Sequence, residues 1–100
     1  MIETIINDIN YRLDEDNLTT EVMENEGYEG DIIIPETVVF NTATYRVTSI
    51  EWWAFCGCKS LTDITFQGTI AQWNKIKLRE NWKDKVPASV VHCTDGDVKI

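Results

Sequence analysis

Four side chains are of the types that hold a metal: Cys56, Cys58, His92 and Cys93. Thiolates and imidazoles are the usual ligands of structural zinc, arranged as a tetrahedron. The spacing argues against such a site. Structural sites pair their cysteines with at least two residues between them, whereas Gly57 alone separates Cys56 from Cys58. His92 and Cys93 are neighbours in a β-branched run, so on a strand they point to opposite faces. An odd cysteine count does not suit a disulfide framework, and Cys56 and Cys58 lack the separation a bridge wants. Reduced, partly buried thiols are the expectation.

Nucleophilic catalysis has little to build on. His92 is the single histidine, and no Gly-x-Ser-x-Gly elbow is present. No Gly-x-Gly-x-x-Gly or phosphate loop occurs. Acidic residues are abundant, but abundance is not a carboxylate pair with separated pKa values. The expectation is therefore no enzyme, no catalytic residue, no cofactor and no metal ligand.

Charge narrows the partners. With 9 basic and 17 acidic residues the net charge is −8 over 100 residues. Direct binding to nucleic acid or to an anionic membrane surface needs Lys and Arg against phosphate, so neither is expected. No run approaches the roughly 18 apolar residues of a spanning helix, so no membrane insertion is expected. The first eight residues lack a basic start and a long apolar run, and no signal peptide is read there. The average conceals a split: residues 1–50 carry 11 acids and 2 bases, and residues 51–100 carry 6 acids and 7 bases. Asp14, Glu15, Asp16, Glu21, Glu24, Glu26, Glu29, Asp31 and Glu36 form the acidic set. Lys75, Lys77, Arg79, Lys83 and Lys85 form the basic one. Such a set keeps a domain soluble, steers a basic partner, or sets the acidic end of one copy against the basic end of another.

The elements that would position these groups read mostly as short strands. Ile9, Tyr11 and Leu13 alternate with polar residues, a turn cluster follows at Asp14–Asn17, and Leu18–Met23 resumes the pattern, which predicts a hairpin. Ile32–Ile34 stops at Pro35, which has no N–H for a ladder. Val38–Phe40, Tyr45–Ile50, Leu61–Phe66 and Val90–Cys93 are further strand candidates, with Asp95-Gly96 as a late turn. Glu51–Cys58 reads as one helical turn and a tight loop. Thr69-Ile70-Ala71-Gln72 is a capping box, and Ile70, Trp73 and Ile76 make a stripe, so a helix is predicted over 69–78. Trp82 is expected to fold back onto the core.

Spaced apolar residues carry the most specific signal. Val47, Ile50, Ala54-Phe55, Cys58, Leu61, Ile64 and Phe66 resemble one repeat of the BspA-like leucine-rich repeat family. Ile32-x-Ile34-Pro35-x-x-Val38 and Tyr45-x-Val47 look like the lead-in to its first repeat. Phe66-x-Gly68-Thr69, Gln72-Trp73, Ile76, Trp82 and Val91-x-Cys93-x-Asp95-Gly96 look like its closing segment. The resemblance spans residues 9–100. It implies a coil of roughly 20–29 residues per turn whose spaced apolar residues share one core. It also implies that Cys58 is a small buried hydrophobe.

The chain departs from the family in two ways. It shows one full repeat, so the open faces need caps or another subunit. Glu51-Trp52-Trp53 also stands where the family often has Gly and polar residues, and Gly serves where φ is positive. Two readings of Trp52 and Trp53 stand together: one or both pack inward, or one is an exposed protein-binding anchor.

The expected fold is mainly β with one short α-helix. It is a minimal leucine-rich-repeat-like coil in a single domain over 1–100. Residues 1–30 are the N-terminal hairpin cap, 31–68 the core, and 69–100 the helix and closing strand. The resemblance implies a non-enzymatic protein-interaction module, adhesion-related and often extracellular. The alternatives are an acidic inhibitor of a basic or nucleic-acid-binding protein, and a self-assembling, homo-oligomeric protomer.

Overall fold

Alternation in the N-terminal third produces antiparallel strands in the computed structural model, which describes residues 1–100. Strand β2 (Ile9–Asp14) pairs with β3 (Thr19–Val22), and its odd-numbered residues Ile9, Tyr11 and Leu13 are buried. The turn is held by Asp14, whose carboxylate accepts from the Asp16 and Asn17 amides and the Asn17 side chain. The sequence reading omits a further strand, β1 (Ile2–Ile6), which pairs antiparallel with β2. Asn7 and Asp8 make its two-residue turn at φ 49° and 68°. Asn-Asp is a composition suited to positive φ at both positions. The N-terminal cap is thus a three-stranded meander.

From β3 onward the chain coils. Strands β3, β6 (Ala43–Ile50) and β8 (Lys77–Leu78) lie parallel. Val22 pairs with Ile50 and Ile50 with Leu78, a step of 28 residues each time. A second parallel ladder runs through β4 (Gly30–Ile34), β7 (Leu61–Phe66) and β9 (Val90–Cys93), where Ile32 pairs with Ile64 and Ile64 with Val91. The lead-in and the closing segment are therefore coils in their own right, stacked on the one recognisable repeat. Strand β5 (Thr37–Phe40) folds back on β6 through Asn41-Thr42. Strand β10 (Gly96–Lys99) does the same on β9.

Helix α1 is shorter than predicted. It spans Ile70–Trp73, with the capping box formed in both directions between Thr69 and Gln72. Residues 77 and 78 leave the helical path to pair with β6, because that ladder offers hydrogen bonds one helical turn cannot match. Trp73 and Ile76 are buried nonetheless. The expected helical turn in 51–58 is a run of reverse turns, since Trp53 at φ 61° interrupts right-handed winding.

All eight spaced apolar positions face inward: Val47, Ile50, Ala54, Phe55, Cys58, Leu61, Ile64 and Phe66. Aromatic rings link the coils. Phe55 packs edge-on against Tyr28 at 5.3 Å and Trp82 at 5.8 Å between centroids, and Trp82 reaches Trp73 at 6.0 Å. Tyr28, Phe55 and Trp82 are 27 residues apart in turn. Phe55 also donates its backbone N–H to the Trp82 carbonyl at 2.8 Å.

Gly68 marks the closest approach. A Cβ there would sit 2.6 Å from Phe66, 2.7 Å from Gln72 and 2.8 Å from Glu36. Gly68→Ala is expected to destabilise by about 1–3 kcal/mol through overpacking. Phe55→Ala is expected to cost about 3–5 kcal/mol through lost burial and the cavity left behind. Urea unfolding of each variant measures both, and a loss under about 1 kcal/mol for Phe55→Ala would contradict its central place.

Candidate functional site

Trp52 and Trp53 stand at the corner where the second coil leaves β6. Ile50 ends the strand in the core, and Ala54 and Phe55 take the next inward positions. The residues between them turn outward, leaving Trp52 49% and Trp53 43% exposed. The inward-packing expectation is thereby corrected, because Ala54 and Phe55 already fill the space beneath.

The backbone at this corner is left-handed, as it is at Leu18, Thr42 and Lys85 in other turns. Trp53 lies at φ 61°, as does its counterpart 28 residues on, Asn81, at 60°. Asn tolerates this left-handed region, whereas a bulky side chain there is an outlier. A residue with positive φ is thus placed where the resemblance leads one to expect Gly. Strain of this kind concentrates at functional sites.

Charges line the neighbouring ladder. Arg12 on β2 donates to Glu21 on β3 through Nε at 3.0 Å and through Nη2. Glu51, just beyond β6, lies 3.8 Å from both Arg12 Nη2 and Arg79 Nε. Burial raises the Glu51 pKa, Glu21 raises it further, and the two guanidiniums oppose them. Arg79 Nε is buried without a hydrogen-bond partner. The two acids therefore lie between two guanidiniums, with Arg12 reaching both and Arg79 reaching Glu51, the residue before Trp52. Sequence spacing could not reveal it, since Arg12 and Arg79 are distant in the chain and only the coil aligns them.

The histidine lies apart from this corner, whereas Cys56 and Cys58 belong to the same run of turns, and the Cys56 backbone N–H donates to the Trp53 carbonyl at 2.9 Å. Cys58 is buried and donates its S–H to the Asn25 carbonyl at 3.1 Å, and burial raises its pKa. Tyr28 braces the same corner by donating to the Met23 carbonyl and accepting from the Asn10 amide; burial pushes its pKa up to about 12. His92 stands on the outer face of the second ladder, with Nδ1 2.8 Å from Asp97 and Nε2 3.6 Å from Asp63. No three His, Cys, Asp or Glu side chains are grouped so that they could hold a metal ion.

The fold has a solved counterpart. The chain matches a leucine rich cell surface protein from Faecalibacterium prausnitzii A2-165 with a TM-score of 0.68 at 20% identity. The match takes in 95% of this chain and 24% of that protein, so the chain spans about a quarter of its length. The fold is leucine-rich-repeat-like. No family profile matches the sequence, and no curated protein matches it. Within this repeat fold, β2, β3 and the residues just beyond β6 and β8 bring the four charges together, and the corner after β6 displays the tryptophans.

The His92 hydrogen bond to Asp97, with Asp63 adding attraction, raises its pKa above 6.5. A raised folded-state value means that the pair contributes stability below about pH 6.5 and loses it as pH climbs through the folded value. Asp97→Asn is expected to return the His92 titration, followed by NMR, towards 6.5. An unchanged midpoint would contradict the pairing.

Proposed function

We propose that this chain is a non-enzymatic protein-binding module of leucine-rich-repeat type, BspA-like, with Trp52 and Trp53 as its anchor. One observation carries the reading: an exposed indole held in left-handed backbone at a coil corner, where Asn81 fills the equivalent place. Trp is among the residues that dominate interface energetics. Arg12, Glu21 and Arg79 gather around Glu51, the residue before Trp52, and charges placed so set orientation and partner choice more than affinity.

The solved counterpart is described as a leucine rich cell surface protein, which supports an interaction role for this repeat. The acidic residues support an inhibitor reading less well. Asp14–Asp16 and Glu24–Glu29 stand at opposite ends of β3, and Glu21 between them is paired with Arg12.

Trp53→Asn separates function from stability. Relief of the left-handed strain gains about 1–2 kcal/mol, while loss of a half-buried indole costs about as much. The melting temperature is expected to move by less than about 5 °C. Capture of a partner by the immobilised chain, from the source organism or its host, is expected to fail with the Trp52→Ala/Trp53→Asn variant. Capture of the same partner by both forms would sink the anchor reading.

A further inference from the structure

The two ladders end unevenly at the N-terminal side. The first is extended beyond β3 by β2 and β1, whereas the second stops at β4. Two additional strands at a spacing of about 4.8 Å therefore overhang the bare edge of β4. The resulting notch is a groove of about 860 Å³.

Its lining is mixed, with acidic side chains beside apolar ones that are almost fully buried. Ile9, Tyr11, Tyr28 and Ile32 line the groove together with Asp8, Glu29 and Asp31, and no Lys or Arg lines it. Ile33 on the same edge is 48% exposed. Asn10, also in the lining, keeps a buried side-chain oxygen without a hydrogen-bond donor.

The backbone of β4 is poised for another strand. Gly30 donates to Ser60, and Ile34 accepts from Gln67, so even-numbered residues of β4 face β7. The N–H and C=O groups of Asp31 and Ile33 therefore point the other way, into the notch. Paired strand edges and covered edges are the rule, because an open edge is a template for pairing.

We propose that the β4 edge receives an extended segment of a partner protein, added as a strand, with apolar residues alternating with Lys or Arg. Apolar side chains of that segment would face Tyr11 and Ile32, and its cations would meet Asp8, Glu29 and Asp31. Strand addition of this kind draws affinity from main-chain hydrogen bonds and specificity from alternate side chains. This surface is separate from the tryptophan corner and stands or falls independently of it.

The probe is an acetylated, amidated octapeptide of alternating Lys and Val, titrated into the full chain. Amide exchange at Asp31 and Ile33 is expected to slow by at least about tenfold at saturation. Binding is expected to weaken between about 0.05 and 0.5 M salt. It is expected to vanish for an alternating Glu–Val peptide and for a backbone N-methylated version. Glu29→Lys/Asp31→Lys is expected to weaken binding at least about tenfold with an unchanged melting temperature, whereas Trp53→Asn leaves it intact. Absence of binding, equal binding of the Glu–Val peptide, or protection elsewhere than Asp31 and Ile33 would overturn the proposal. A mass that doubles with concentration and is blocked by Asp31→Lys would overturn it too, by placing a second copy in the notch.

Discussion

Phe55 is the contact on which the three coils depend. It lies edge-on between Tyr28 and Trp82, one ring from each neighbouring coil. No coil of this length buries its own apolar face, so each is stable only against the next. Edge-to-face rings add roughly 0.5–1.5 kcal/mol per pair beyond their burial. The Phe55 amide bonded to Trp82 also sets the height at which the third coil sits. Trp73 and Phe66 continue the aromatic line to the helix, with Phe66 and Trp73 5.5 Å apart.

That stacking explains where charge and aromatic surface end up. Once Phe55 and Ala54 occupy the interior, Trp52 and Trp53 have no inward place left. Once Val22, Ile50 and Leu78 are aligned, the residues just beyond the strands come into register, and Glu51 falls next to Arg79. The −9 and +1 halves of the sequence become two ends of one stack, the acidic meander and first coil at one end and the third coil at the other. The same uneven capping that protects the edge of β3 with two strands leaves β4 bare.

Much of the core was legible because burial imposes spacing. The positions from Val47 to Phe66 were legible through their resemblance to the spacing of a leucine-rich repeat, and the capping box at Thr69 and Gln72 through local hydrogen-bond chemistry. The extent of α1 was not legible. Its stripe of Ile70, Trp73 and Ile76 is real, yet a non-local pairing with β6 decides where the helix stops. Strand β1 was overlooked although Asn7-Asp8 carried a hairpin signal. The first and third coils were read as flanking pieces because their strands are short and share few residue types with the central repeat.

By itself the sequence determined a mainly β, acidic chain with one apolar core, because side-chain transfer energies and strand periods act residue by residue. The resemblance of its spacing to a leucine-rich repeat placed Cys58 inside, and the apolar character of Trp82 led to the same expectation there. Tertiary structure alone decided that the coil turns three times, that the tryptophans face outward, that Arg12 and Arg79 share Glu51, and that the edge of β4 is open. Each of these depends on which segments lie side by side. That is set by contacts between residues about 28 positions apart, to which local propensity and periodicity are blind.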